Sequence, residues 1–282
     1  MLIIRFQFAE KYGPVYSLYL GTKPIVLIHG FPLVKEVLVI KGTEFAGRPV
    51  YYIIDLITKT KGIITQSYGE VWKEQKRFSL RLFRNFGVGK NLMEERILEE
   101  ASYLTQAFTE NMSKLSRERV GWLGIVLLYS VIQIQKANAV IHEIQRISSV
   151  LPLGLPHKTI NDVQLLGYKI PKDTMILVNI QSAHCDESQW KFPNEFNPSN
   201  FLNEEGEFVK PEAFLAFSAG PRFCLGEILA RMELFLLFTS IVRNFQLSWP
   251  DKSQAPDLTP YFAITQSPSR FKVLLKCRQP SG

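Results

Sequence analysis

Cysteine is scarce in this chain. Cys185, Cys224 and Cys277 are the only three in 282 residues, too few and too separated for a disulfide framework or a Cys/His zinc site, and they fit a reducing compartment. Long hydrophobic runs are scarce too. The amino terminus opens with Met1-Leu-Ile-Ile4, but Arg5, Glu10 and Lys11 follow at once, so neither a signal peptide nor a spanning helix is expected there. The longest apolar stretch, Val120 to Ile134, runs about 15 residues against the roughly 20 that cross a bilayer. It reads as a buried or interfacial segment, with a membrane span as the competing reading. No nucleic-acid recognition motif accompanies the net charge of +7, so that charge does not argue for nucleic acid.

What is present suffices for a folded core. The chain is 46% hydrophobic and 21% charged, which excludes a disordered tail and allows one large domain or two ordinary ones. The densest basic stretch holds Lys73, Lys76, Arg77, Arg81 and Arg84, and Phe78, Leu82 and Phe86 recur through it at helical spacing. Such a basic face suits an acidic protein partner, a membrane surface or plain solvent.

Along the chain, two β-rich runs, 13–21 and 24–28, meet at a turn over Gly21-Thr-Lys-Pro24 and predict a hairpin. Apolar spacing predicts helices over 31–40, 69–83 and 92–110, the last with Leu98, Ala101 and Leu104 on its inner face. A helix over 137–150 leads into a strand-rich stretch, 163–180, and then a long Pro-containing loop, 186–212, of a kind that is usually functional inside a compact domain. An apolar helix over 227–245 and a terminal strand over 271–275 close the chain. The fold class is mainly α with small β-sheets.

The most specific stretch is Phe217-Ser-Ala-Gly-Pro-Arg-Phe-Cys-Leu-Gly-Glu227. Gly220 and Gly226 let the backbone turn sharply and approach a flat ligand closely. Cys224 falls just before a helix, where unpaired N–H groups and the helix dipole favour a thiolate. A thiolate is a metal ligand, and one that pushes electron density into iron. Phe217 would cover the sulfur and Arg222 would point at a carboxylate of the prosthetic group. A lone cysteine is more often a small buried hydrophobe. Here the surrounding residues favour the ligand.

This stretch resembles the heme-binding loop of the cytochrome P-450 superfamily, Phe-x-x-Gly-x-Arg-x-Cys-x-Gly, at every fixed position. Asn138-Ala-Val-Ile-His-Glu-Ile-Gln-Arg146 resembles the Glu-x-x-Arg helix of the microsomal family 2 enzymes, in which Glu143 and Arg146 would lock the core with a third partner from a later loop. Phe196-Asn-Pro-Ser-Asn-Phe201 resembles that loop, with Asn200 where the family usually has His or Arg. Trp72 and Lys76 resemble the propionate-binding helix, with Lys76 in place of the usual Arg, and Arg48 and His157 occupy further propionate-binding positions. Similarity runs through about residues 7–112 and 136–282 and is closest to family 2, its J subfamily in particular.

The resemblance implies a partial cytochrome P-450 fold. Residues 1–112 would form its amino-terminal part, 113–135 an atypical junction, and 136–282 the heme-binding core. It implies heme b with Cys224 as axial ligand, and a monooxygenase acting on fatty acids and xenobiotics. Electrons would come from NADPH-cytochrome P-450 reductase, with cytochrome b5 as a further partner and a small hydrophobic substrate. The family sits on the endoplasmic reticulum membrane facing the cytosol. Between Asn111 and Lys136 the family would have a long block of helices, including the oxygen-activating helix on the distal heme face with its acid–Thr pair. No such pair occurs here, and the family's amino-terminal anchor is expected to be missing too. Three readings follow: a monooxygenase, a catalytically impaired heme-binding remnant, and a basic membrane-surface or interaction protein without cofactor.

Overall fold

The structure, a computed structural model, describes residues 2–110, 134–250, 259–262, 264–268 and 272–278. Most of the junction segment, 111–133, therefore lies outside the described residues, and with it the apolar run from Val120. In chain order the elements begin with α1 (Leu2–Tyr12), β1 (Val15–Leu20), β2 (Lys23–Ile28), α2 (Phe31–Lys35), α3 (Tyr52–Thr58), α4 (Glu70–Asn85), α5 (Asn91–Glu110) and α6 (Ile134–Ser148). They continue with β3 (His157–Lys158), β4 (Val163–Leu165), β5 (Tyr168–Ile170), β6 (Met175–Val178), α7 (Ile180–His184), α8 (Glu227–Asn244), β7 (Phe245–Ser248), β8 (Pro260–Phe262), β9 (Gln266–Pro268) and β10 (Leu274–Cys277). This is the mainly helical chain with small sheets that the periodicity indicates. No helix among the described residues is long and apolar enough to cross a membrane.

Two compact units divide the chain. The first comprises Met1–Leu82, Leu151–Pro193 and Glu212–Leu225. Its framework is a four-stranded sheet in the order β1-β2-β6-β3, with β2 and β6 parallel and the other pairs antiparallel. The expected hairpin is there, in register from Val15↔Ile28 to Leu20↔Lys23. A helix, α1, precedes it. The charged residues at 5, 10 and 11 exclude a membrane span without excluding a helix, and Phe8 and Ala9 pack on Tyr16, Ile25 and Leu27 of the hairpin.

The helix expected over 31–40 is two segments. After α2, residues Glu36–Ile40 form a π turn, closed by the Lys41 amide donating to the Glu36 carbonyl five residues back at 2.7 Å. Downstream, Asn179 caps α7 by accepting from the Ser182 amide at 3.1 Å.

The second unit comprises Phe83–Val150, Asn194–Pro211 and Gly226–Gly282. Helix α8 packs on α5 and α6, and β7 pairs with β10. Its core joins Ala137, Val140, Ile141, Phe238, Ile241 and Phe245, with Leu104 and Phe108 packed against it. On α5 the buried positions are Ile97 and Ala101, whereas Leu98, expected inside, is exposed. One residue is 100° of helix, enough to move Leu98 off the core stripe that 97, 101, 104 and 108 define. The terminal strand is Leu274–Cys277, overlapping the end of the expected 271–275, whose first residue lies outside the described residues.

Glu143 and Arg146 lie one turn apart on α6 with fully buried side chains. Arg146 donates from Nε and Nη2 to the two carboxylate oxygens at 2.7 and 2.8 Å, and from Nη2 to the Glu195 carbonyl at 2.8 Å. Glu143 Oε1 also accepts from the Asn197 amide at 2.7 Å and from Asn200 Nδ2 at 3.2 Å. Asn200 thus makes a third contact from the position where the resemblance has His or Arg. The carboxylate needs a donor, and an amide supplies one.

Because this pair is buried, removing one member leaves the other uncompensated. Arg146→Met is expected to destabilise the fold by about 3–5 kcal/mol, and Glu143→Leu with Arg146→Met to recover most of that loss. Urea unfolding of the single and double variants measures both; a double variant no more stable than the single one would show that shape, not charge, sets the cost.

Candidate functional site

The loop that carries Cys224 is held from below by its own arginine. Arg222, only 7% exposed, donates from Nε to the Ala46 carbonyl at 2.8 Å and from Nη2 to the Gln66 carbonyl at 2.8 Å, and lies 4.3 Å from the Trp72 ring centroid. The Cys224 amide donates back to Phe217 O at 2.9 Å and closes the loop, and the Cys224 side chain is exposed. Phe217 is half-buried.

Gly220 opens the 3-10 turn Gly220–Arg222 at φ +68. A Cβ there would fall inside the contact radius of Leu38 O in the π turn, so the loop and the π turn meet backbone to backbone. This is the close approach that the glycine makes possible, and it is toward protein. Gly226 sits at φ −85, ψ 6 as the N-cap of α8. Any residue adopts that conformation, so its backbone does not require glycine.

The other sequence-derived positions gather beside this loop in the first unit. Arg48, also 7% exposed, donates from Nε to Ile64 O at 3.2 Å and from Nη1 to Leu155 O and Pro156 O at 3.2 and 2.7 Å. His157 is buried, and its Nδ1 meets Phe45 O at 2.8 Å. Trp72 is the buried residue of α4, its indole N–H donating to Ile63 O at 2.9 Å. Lys76, one turn on, donates to Pro221 O at 2.7 Å and stands over the Phe223 ring at 4.1 Å. A cavity of about 590 Å³ opens here among Tyr68, Trp72, Lys73, Lys76, Arg77 and Pro221.

Phe78 and Leu82 of α4, and Phe86 just past its end, are exposed. Trp72 and Lys76 meet the Cys224 loop, and a residue two positions on from Lys76 projects about 200° away from it.

Charge is the main property of this group. Among the described residues no carboxylate lies within 4.0 Å of Arg48, Lys76 or Arg222. Burial lowers Arg48 to about 10 and, with repulsion from Arg48 added, lowers Arg222 to about 9. Burial, then Arg222, lowers Lys76, and burial, then Arg48, holds His157 neutral with its pKa lowered to about 3. Backbone carbonyls receive these cations, yet no anion offsets them. An anionic ligand would relieve both the desolvation and the mutual repulsion. Among the described residues no three His, Cys, Asp or Glu side chains converge to cage a bare ion. The exposed Cys224 sulfur stands on the same loop as Arg222, beside these cations.

A sequence model of the cytochrome P450 family matches residues 4–134 and 130–275. Cytochrome P450 2D3 of Rattus norvegicus is 27% identical over 434 aligned positions, covering 95% of this chain and 87% of that protein. Cytochrome P450 2F2 of Mus musculus is 28% identical, over 96% and 89%. Cytochrome P450 2J2 of Homo sapiens is 29% identical, over 93% and 84%. An alignment of 434 positions against 282 residues passes over a large stretch of the relative that has no counterpart here. The two matched segments of the family model meet at 130–134, where that stretch would fall.

The depressed pKa of His157 sets a pH dependence. The unfolded chain takes up this proton below about 6.5 and the folded chain only near 3. The stability due to neutral His157 is therefore complete above pH 6.5 and is lost as pH falls from there toward 3. His142 in the second unit, lowered to about 4 by burial, acts in the same sense. His157→Gln should flatten the fall of the thermal midpoint between about pH 7 and pH 4; a profile superimposable on that of the unmodified chain would remove His157 from the account.

Proposed function

Because this chain belongs to the cytochrome P450 family, whose members are heme-thiolate monooxygenases, we propose that it binds heme b with Cys224 as the axial ligand and oxidises small hydrophobic substrates. The uncompensated cluster of Arg48, Lys76 and Arg222 beside an exposed cysteine carries this reading. When bound, the group supplies activation of O₂ for insertion of one oxygen atom.

The chain's own residues bind and shield. Arg48, Arg222, Lys76 and His157 would receive the propionates, exchanging neutral carbonyl acceptors for charged ones and strengthening each bond. Trp72, under the Arg222 guanidinium, would keep that side chain in place. Phe217 would limit water around the sulfur, and Gly220 keeps the loop seated on Leu38. Glu143 and Arg146 act at a remove, as the buried tie of the second unit. Residues 1–112 and 136–282 would supply the two halves of one heme domain, with 113–135 as the junction.

The exposed cations Arg77, Arg81 and Arg84 of α4 suit docking of acidic electron donors, NADPH-cytochrome P450 reductase and cytochrome b5. Fatty acids and xenobiotics are the substrate classes, at the cytosolic face of the endoplasmic reticulum membrane. A second reading, a heme-binding form impaired in turnover, is favoured by the stretch of the relatives that the alignment passes over. The acid–Thr helix expected from the resemblance would lie there. Without it a bound heme is open to water, and electrons are lost to peroxide or superoxide.

Expression with heme precursor, reduction and exposure to carbon monoxide provide the test. The unmodified chain should give the red-shifted band of thiolate ligation, Cys224→Ala should abolish it, and Arg48→Ala with Arg222→Ala should lower heme retention by roughly tenfold or more. A folded chain without any heme band would overturn the cofactor assignment. NADPH consumed in step with product formed would remove the impaired reading.

A further inference from the structure

Open sheet edges are normally guarded, because a row of free N–H and C=O groups pairs with any strand that reaches it. The four-stranded sheet of the first unit guards one edge and not the other. Its edge strand β3 has only two residues, one of them a lysine. Ala46 and Gly47 also bridge onto Lys158, whose amide donates to Gly47 O at 2.9 Å. The opposite edge is β1, six residues long, Val15-Tyr-Ser-Leu-Tyr-Leu20, with no charge, no proline and no break in its register. Among the described residues its one strand partner is β2.

The alternation of the ladder fixes which groups of β1 are free. The His29 amide donates to Pro14 O at 2.9 Å, and Pro24, opposite Tyr19, has no N–H to give. Bonded and non-bonded pairs alternate along an antiparallel ladder, so Tyr16, Leu18 and Leu20 bond to β2 while the N–H and C=O of Val15, Ser17 and Tyr19 point outward. Val15 is buried, but Ser17 is exposed, as are Tyr19 and Leu20 at 74% and 69%. A cavity of about 620 Å³ is lined by Val15, Tyr16, Ser17 and Leu18 in succession. Successive strand residues face opposite sides of a sheet, so space that touches all four runs along the edge.

We propose that β1 pairs antiparallel with β1 of a second copy of this chain, joining two sheets edge to edge about a two-fold axis at Leu18. Ser17 then stands opposite the partner's Tyr19, and Tyr19 opposite the partner's Ser17, each pair exchanging both of its main-chain hydrogen bonds. An added strand satisfies the outward groups in a way that side chains of a globular partner do not. A copy of β1 meets no like charge, since the strand carries none. Assembly stops at two, because the far edge of the sheet is already covered. Two short strands bury less than the roughly 1,200 Å² of a stable interface, so the dimer forms only at high concentration. The inference does not depend on Cys224 or on heme, and its assay reads neither.

Sedimentation equilibrium of the full chain over a concentration series provides the test. The unmodified chain should be monomeric at about 1 μM and largely dimeric at about 0.5 mM. Ser17→Lys with Tyr19→Lys should raise the dissociation constant by roughly tenfold or more, because lysine then opposes lysine across the two-fold axis. The thermal midpoint should not change, since both side chains are exposed. Ser17→Glu with Tyr19→Glu should weaken the dimer equally, and an equimolar mixture of the two double variants should restore it. Either double variant alone decides the loss if the other fails to fold. A chain still monomeric at the highest concentration would overturn the proposal and leave the edge to a different strand. Folded double variants that dimerise like the unmodified chain would overturn it by placing the interface elsewhere, and a folded mixture that stays monomeric would overturn the antiparallel pairing.

Discussion

A guanidinium leaves water only where its donors are received, and the candidate site is arranged around that requirement at Arg222. Its bonds to the carbonyls of Ala46 and Gln66 tie the Cys224 loop to two segments of the amino-terminal part of the chain. Those carbonyls are available because the segments take irregular paths, past the π turn at Glu36–Ile40 and through the connection before α4. Regular helix or strand would have used the same acceptors internally. The lack of repetitive structure here is what lets a buried cation be solvated by protein and remain available to an anion.

The same chain handles buried charge differently in its second unit. Glu143 and Arg146 neutralise each other, and the remaining lone pairs are taken by the Asn197 amide and Asn200. One arrangement is closed and complete, as suits a tie that never changes partner. The other holds cations against neutral acceptors, as suits a seat for a charged ligand. The contrast between the two separates a structural from a binding role more sharply than burial does, since Arg48, Arg146 and Arg222 are all buried.

Much of this was legible beforehand, for identifiable reasons. The cysteine loop stands out because its glycines, arginine and cysteine have fixed spacing, and the hairpin because Gly21 and Pro24 punctuate two β-rich runs. Helix positions followed from apolar period, but faces did not. Phe78 and Leu98 carry hydrophobicity and lie outside, because a one- or two-residue offset turns a side chain by 100° or 200° and tertiary packing decides which stripe is used. The charges at Arg5, Glu10 and Lys11 exclude a membrane span but leave a short helix open, and α1 forms there because its apolar residues have the hairpin to pack on. Asn200 lacks the charge of the His or Arg in the resemblance, yet what the carboxylate needs is a donor, and the amide supplies one. The cations at 48, 76 and 222, with neutral His157 beside them, are scattered along the chain; the resemblance names them as propionate positions, and the fold gathers them beside one loop and leaves them without a carboxylate.

The π turn also limits what can change far from it. Its path sets the Leu38 carbonyl against both Gly42 and Gly220, 2.4 and 1.7 Å from where a Cβ would stand at each. Neither glycine can acquire a side chain while the turn keeps this path. Tolerance of substitution in the cysteine loop is thus decided by a peptide far upstream in the chain, not by the loop's own neighbours.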